Sequence, residues 1–228
     1  MKCICIIPAR GGSKRIYKKN IRLLNNKPII AYSIEAALKS NLFDVVMVST
    51  DDSEIAEIAK KYGAEVPFLR SSATSGDFAT TIEVIEEVID NYKNLEQVFE
   101  YTCCLLATAP FVTAQKLNDA YKLMSEKGKD AVFTIQEFSY PIQRSLHFKG
   151  KQLEMKWPEN LKSRSQDLEK MYHDAGQFYI YNTKKYLAEG GVFKMKSTAI
   201  VINELESQDI DTETDWKLAE LKFELMHK

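Results

Sequence analysis

The stretch CICIIPARGGSKR, residues 3–15, decides how the rest of the chain is read. Cys3 to Ala9 is a short, near-continuous apolar run, the pattern of a strand covered on both faces in a parallel sheet. Two adjacent glycines, Gly11 and Gly12, follow at once, crowded by Arg10, Lys14 and Arg15. In a doubly wound α/β sheet the ligand sits outside the carboxyl ends of the strands, and the first strand-to-helix loop is a common phosphate site. Glycines there let backbone N–H groups turn inward and form a concavity for anions. Arg10 can grip a phosphate with its planar fork, and Lys14 supplies a point charge. The loop is neither G-x-x-x-x-G-K-[ST] nor G-x-G-x-x-G, which disfavours a P-loop ATPase and a dinucleotide enzyme. On the two glycines alone, a solvated basic loop without a ligand is as good a reading.

Outward from this loop, strand and helix signals alternate. A helical pattern opens at Pro28 and carries Ile30, Ile34 and Leu38 on one stripe. FDVVMVST is a second buried strand; Asp51, with Glu54 three residues on, resembles a capping box for a short helix that Gly63 closes. EVPFL reads as a brief extended piece, and Ile82, Ile85, Ile89 and Tyr92 mark a third helix face. VFEYTCCLL and DAVFTIQEF read as strands on either side of a helix over Thr113–Lys127. FYIYN and STAIVI are further strands, and a helix from Glu213, striped by Leu218, Leu221 and Leu225, ends the pattern. The β-α-β-α order predicts a three-layer α/β fold, a mostly parallel sheet with helices on both faces. Residues 139–173 break the rhythm, and a structureless loop that long is rare inside a compact domain. The expectation is one domain built from residues 1–138 and 174–228, with 139–173 inserted as an extension.

Composition bounds function. At 228 residues and a net charge of −1, nothing global argues for nucleic acid or a membrane surface as partner. No apolar run approaches the ~20 residues of a spanning helix, and the N-terminus lacks a signal-peptide pattern. Cys3, Cys5, Cys103 and Cys104 have no C-x-x-C spacing and read as reduced, apolar-like side chains of a cytoplasmic protein. His147, His173 and His227 share no ligand spacing, so a zinc site is not expected. Asp209 and Asp211 form a D-x-D pair before the last helix. Such carboxylates can hold Mg²⁺ against phosphate oxygens or, with Asp215, simply cap the helix.

The string IIPARGGSKRIYKKNIRLLNNKPIIAYSIEAA resembles the N-terminal signature of the cytidylyltransferases that activate nine-carbon sialic-type sugars as CMP derivatives. VMVSTDDSEIAEIAKKYGAEVPFLR, DFATT and DIDTETDW follow in that family's order, so the resemblance covers essentially the whole chain. ATAPF, PIQRSL and DAGQFY are most similar to the branch that uses pseudaminic acid. The resemblance implies a nucleotidyltransferase fold, CTP and a nonulosonic acid as substrates, CMP-sugar and pyrophosphate as products, Mg²⁺ as cofactor, and a homodimer joined through residues 139–173. It also implies roles. Arg10, Gly11, Gly12, Ser13 and Lys14 would hold the triphosphate, Asn20 the nucleotide, Arg70 and Thr80 the cytosine and ribose, Asp209 and Asp211 the metal. Thr108, Gln143, Arg144, Arg164, Gln177, Phe178 and Tyr179 would serve the sugar, with Arg144 or Arg164 meeting its carboxylate.

One position departs from the sialic acid enzymes. Where they carry a sugar-contacting Gln, this chain has Leu106 in Leu106-Ala107-Thr108-Ala109-Pro110. An unmatched polar group costs ~1–3 kcal/mol, so a hydroxyl-rich sugar loses a partner here while a less hydroxylated one loses little. Pseudaminic acid, with a methyl terminus and two acylamino groups, suits the change better than N-acetylneuraminate; legionaminic acid stays open. Two other classes also stay open at this point, a D-x-D nucleotide-sugar glycosyltransferase and a non-catalytic nucleotide-binding protein.

Overall fold

The computed structural model describes residues 2–226. Its frame is a six-stranded sheet. β1 (Cys3–Pro8) leads through the basic loop to a two-residue hairpin, β2 (Leu23–Leu24) and β3 (Lys27–Pro28). Asn25 and Asn26 turn that hairpin at positive φ, 47° and 64°, a conformation Asn tolerates better than most residues. α1 (Ile29–Ser40), β4 (Val45–Ser49), α2 (Ser53–Lys61), the single turn α3 (Ser72–Ser75) and α4 (Thr81–Asn94) follow. Then come β5 (Tyr101–Leu105), α5 (Ala114–Glu126) and β6 (Ala131–Glu137). Between β6 and the long β9 (Tyr172–Asn182) the chain leaves the sheet and forms a small hairpin, β7 (Leu146–Lys149) with β8 (Gln152–Met155). α6 (Thr183–Glu189), β10 (Ser197–Ile202) and α7 (Glu213–Met226) complete it.

The strand order is β10-β6-β9-β5-β1-β4. β1 pairs parallel with β4 and β5, and β10 with β6, while β9 runs antiparallel between β5 and β6. Helices cover both faces, as the alternation predicts. Ile30 and Ile34 of α1, Ile55 and Ala59 of α2, and Leu117 and Ala120 of α5 pack on one face with Cys5, Ile7 and Cys103. Ile85, Val88 and Tyr92 of α4 and Tyr186 of α6 cover the other, with Ile4, Ile6 and Met47. All four cysteines are free and buried, and burial pushes the Cys104 thiol up to about 12, so it stays protonated.

EVPFL, the expected extended piece, is held to β4 by a single parallel bridge, Glu65 to Met47. Other local expectations need correcting. β9 begins at Tyr172, so the last two residues of the expected extension, Tyr172 and His173, lie in the sheet. On α7 the striped leucines face outward, Leu218, Leu221 and Leu225 being 42%, 56% and 58% exposed. The opposite side, Trp216, Ala219 and Phe223, packs into a satellite core with Ile16, Leu24, Ile29 and Phe111. Three leucines drew the eye along the helix, but the aromatic side offers more surface to bury, and Arg22 stacks on Trp216 at 4.4 Å. Through Ile16 and Leu24 this packing seats the last helix against the segment that follows the basic loop.

Candidate active site

The direction of winding reverses at β1, which has β4 on one side and β5 on the other. Crevices for ligands open at such reversals, beyond the carboxyl ends of the strands. A cleft of about 260 Å³ lies there, walled by Pro8 from the end of β1, Leu106, Ala107 and Thr108 after β5, and Ala79, Thr81 and Val84 at the start of α4. Arg10, Ser13, Lys14, Arg15, Lys19, Asn20 and Arg70 also line it. Five cations on one small cleft define an anion site.

The basic loop is built from outside. Asn20 is buried and donates its amide to the Arg10 carbonyl at 2.9 Å. Gly11 is required sterically: a Cβ there would lie 2.5 Å from Asp52 Oδ2 and 2.8 Å from Asp52 Cβ, whereas one on Gly12 would meet nothing within 4 Å. The expected inward turn is not seen at the Gly11 amide. Gly11 N–H donates to Asp51 Oδ1 at 2.9 Å, its carbonyl accepts from Ser13 N–H at 2.8 Å, and neither glycine lines the cleft. Asp51 therefore does not cap α2. Asp52 does, accepting from the N–H groups of Glu54 and Ile55.

The cations are held by carboxylates. Asp77 accepts from Arg10 Nη1 at 2.9 Å and from Lys14 Nζ, and Arg10 Nη1 also reaches the Gly76 carbonyl. The two cations hold the Asp77 carboxyl below its usual range, Lys14 more than Arg10. Arg15 and Lys19 meet Asp211 Oδ1 at 2.8 and 3.4 Å. Arg70 is half-buried, donating to Ser49 Oγ and the Ser49 carbonyl at 3.1 and 2.6 Å, and burial lowers its pKa. That leaves a planar fork fixed in the cleft wall.

The other expected residues divide. Thr108 lines the cleft, but Thr80 does not; its hydroxyl and N–H close a capping box with Glu83, and the neighbouring Thr81 faces the cleft instead. Asp209 lines a second hollow of about 460 Å³ with His173, Asp174, Gln136 and Lys222. Tyr179 lines a third, about 310 Å³, with Tyr181, Tyr186, Val192 and Phe193, and donates to Asp174 Oδ2 at 2.6 Å. Leu106 borders all three hollows. Gln177 is buried, its amide on the Glu206 carbonyl and its Oε1 without a partner. Phe178 is fully buried in the main core, paired across from Leu105, so it has no surface for a sugar. Strand alternation sends Tyr179 to the opposite face, where it is half-buried against the second core. Gln143, Arg144 and Arg164 stay in the excursion, bonded to Glu169 O, Ser163 O and Asp167, and do not line these hollows. The helix cap at α7 belongs to Asp215 and Thr212, which bond reciprocally, leaving Asp209 and Asp211 outside that role.

Fold and site together define a nucleotidyltransferase: an open α/β sheet whose reversal point carries a basic, phosphate-sized cleft. A solved structure of a CMP:2-keto-3-deoxy-manno-octonic acid synthetase complexed with CTP shares the fold, with a TM-score of 0.70 over 100% of this chain and 99% of that one, at 14% identity. The cytidylyltransferase family model matches residues 4–225. A pseudaminic acid cytidylyltransferase of Campylobacter jejuni is 43% identical over 100% of this chain and 99% of its own length. A CMP-N,N'-diacetyllegionaminic acid synthase of Legionella pneumophila is 32% identical over 99% and 97%. The chain belongs to the cytidylyltransferase family. This sets aside the glycosyltransferase and non-catalytic readings.

Proposed function

We propose that the protein joins CTP to pseudaminic acid, forming CMP-pseudaminic acid and pyrophosphate. Whole-length similarity to the Campylobacter enzyme carries this reading. Leu106 supports the sugar choice, because it places an apolar side chain where the three hollows meet.

The anomeric hydroxyl of the sugar forms a bond to the α-phosphorus and gives up its proton to solvent as the bond from that phosphorus to the oxygen bridging the β-phosphate breaks, so that the bridging oxygen leaves with pyrophosphate. Negative charge grows on the departing pyrophosphate, so cations aimed at the β- and γ-phosphates lower the barrier. Arg10 and Lys14 fill that role, with Ser13 as a hydroxyl donor and Asn20 bracing the loop through the Arg10 carbonyl. Arg70 presents its fork to the carbonyl edge of cytosine. Mg²⁺ keeps its waters and phosphate ligands and takes only one or two carboxylates, so it does not require a cage of three His, Cys, Asp or Glu side chains, of which there is none among the described residues. Asp209 and Asp211 would hold it, and when bound it neutralises phosphate charge. Thr108 and Tyr179 would border the sugar, with Gln177 buried behind them, and a homodimer joined through the β7–β8 excursion would bring Gln143, Arg144 or Arg164 to the partner's site.

Pyrophosphate release from CTP with each sugar tests the proposal. Release with pseudaminic acid, at least tenfold above legionaminic acid or N-acetylneuraminate, is expected. Equal turnover of N-acetylneuraminate overturns the sugar assignment, and silence with all three overturns the reaction.

A further inference from the structure

Asp77 does not line the cleft, yet it pairs with two of the cations that do. Its two oxygens take the Arg10 Nη1 and Lys14 Nζ donors that a polyphosphate needs, so one residue of the chain satisfies both cations. The arm that carries it, Gly76 to Ala79, has little else to hold it. Phe78 is 98% exposed, and the arm ends where the Thr80–Glu83 box fixes α4. Arg10, Lys14 and Asp77 are themselves 37%, 78% and 42% exposed, so both contacts are solvent-screened surface pairings. A multiply charged anion can displace a pairing of that kind. Ala79, two residues on, already lines the cleft, so the arm need not travel far to clear it.

We infer that Asp77 is an internal counter-ion that competes with phosphate ligands for Arg10 and Lys14. It weakens every anion by a similar factor. A nucleotide retains affinity through its base and ribose contacts, whereas a ligand made of phosphate alone does not. Return of Asp77 to the two cations then favours departure of pyrophosphate after the reaction. The competition itself needs only an anion site; the identity of the departing product rests on the function proposed above.

Titration calorimetry of the intact protein with inorganic pyrophosphate tests it directly. Asp77→Asn removes the charge and keeps the size, and pyrophosphate Kd should fall about fivefold, the equivalent of ~1 kcal/mol. Asp77→Glu keeps a carboxylate and should leave Kd near the parent value. Inhibition by pyrophosphate in the turnover assay should tighten in Asp77→Asn in parallel. If Asp77 instead orients the two cations for the ligand, Asp77→Asn weakens binding, the opposite sign. Weakened or unchanged binding, or no pyrophosphate binding by either protein, overturns the inference. A protein that fails to use CTP, yet binds pyrophosphate more tightly after Asp77→Asn, sinks the proposed function and keeps this one.

Discussion

At the residue scale the two adjacent glycines are not equivalent. Gly11 lies against the side chain of Asp52, and Asp52 cannot yield without giving up the α2 cap, worth about 1 kcal/mol. Gly11→Ala should therefore lower both Tm and kcat/KM, while Gly12→Ala leaves Tm unchanged; equal melting curves for the two would show that the Asp52 contact yields freely. Lys14→Ala should reduce kcat by about 100-fold and weaken CTP less, because its charge is most useful as pyrophosphate departs. Arg10→Lys should also be damaging, since a point charge does not replace a fork. An effect confined to KM for CTP in both variants would make the loop a binding device only. Asp211→Asn and Asp209→Asn should keep the fold and lose most activity; full turnover at saturating Mg²⁺ in both would end their assignment as metal ligands.

At the element scale the last helix rests on the Thr212–Asp215 cap. The Thr212 hydroxyl, then the N–H groups of Asp211 and Thr212, hold the Asp215 carboxyl below its usual range. A carboxyl with a depressed folded pKa adds stability that is present above its unfolded value, ~3.9, and is lost as pH falls through the folded value. Asp215→Asn should thus lower Tm modestly at pH 7, by less than the ~1 kcal/mol of a good cap because the group is solvent-screened. The gap between the two melting temperatures should narrow as pH falls below about 4 and vanish once the folded-state carboxyl is protonated. A gap that does not narrow at all below pH 4 would mean the side chain acts through shape alone. The excursion is the other informative element. It leaves Tyr140, Phe148 and Leu161 at 84%, 75% and 67% exposure, more apolar surface than so short a segment can fold away by itself.

At the scale of the whole molecule that surface argues for a second copy. Aromatic residues with interspersed Arg are what interfaces favour, and a two-fold dimer is the commonest symmetric assembly. Sedimentation should give about twice 26.1 kDa at micromolar concentration. Removing residues 150–168 should give a monomer that still binds CTP and turns over sugar poorly. A 26 kDa species from the intact chain would make the excursion a lid.

Much of this was open to inspection in the order of residues. Local pattern determines an element when residues close in sequence carry the signal, so the β1 run, the strand Ser197–Ile202 and the start of the last helix at Glu213 were legible, as was the crowding of Arg10 and Lys14 beside a glycine turn. Pattern fails where a partner distant in sequence decides. Which of Asp51 and Asp52 caps α2 depends on Gly11, some 40 residues earlier, and which side of α7 is buried depends on Ile16 and Leu24. Arg144 and Arg164 have the charge to meet a carboxylate, yet bonds within their own excursion decide where they point. Asp77 meets Lys14 across 63 residues, a pairing only the fold creates. The sequence by itself determined the periodicity, the charge and the chemistry available. Tertiary structure alone decided which of those groups meet, because hydrogen bonds and burial act over a few ångströms of space, whatever the separation along the chain.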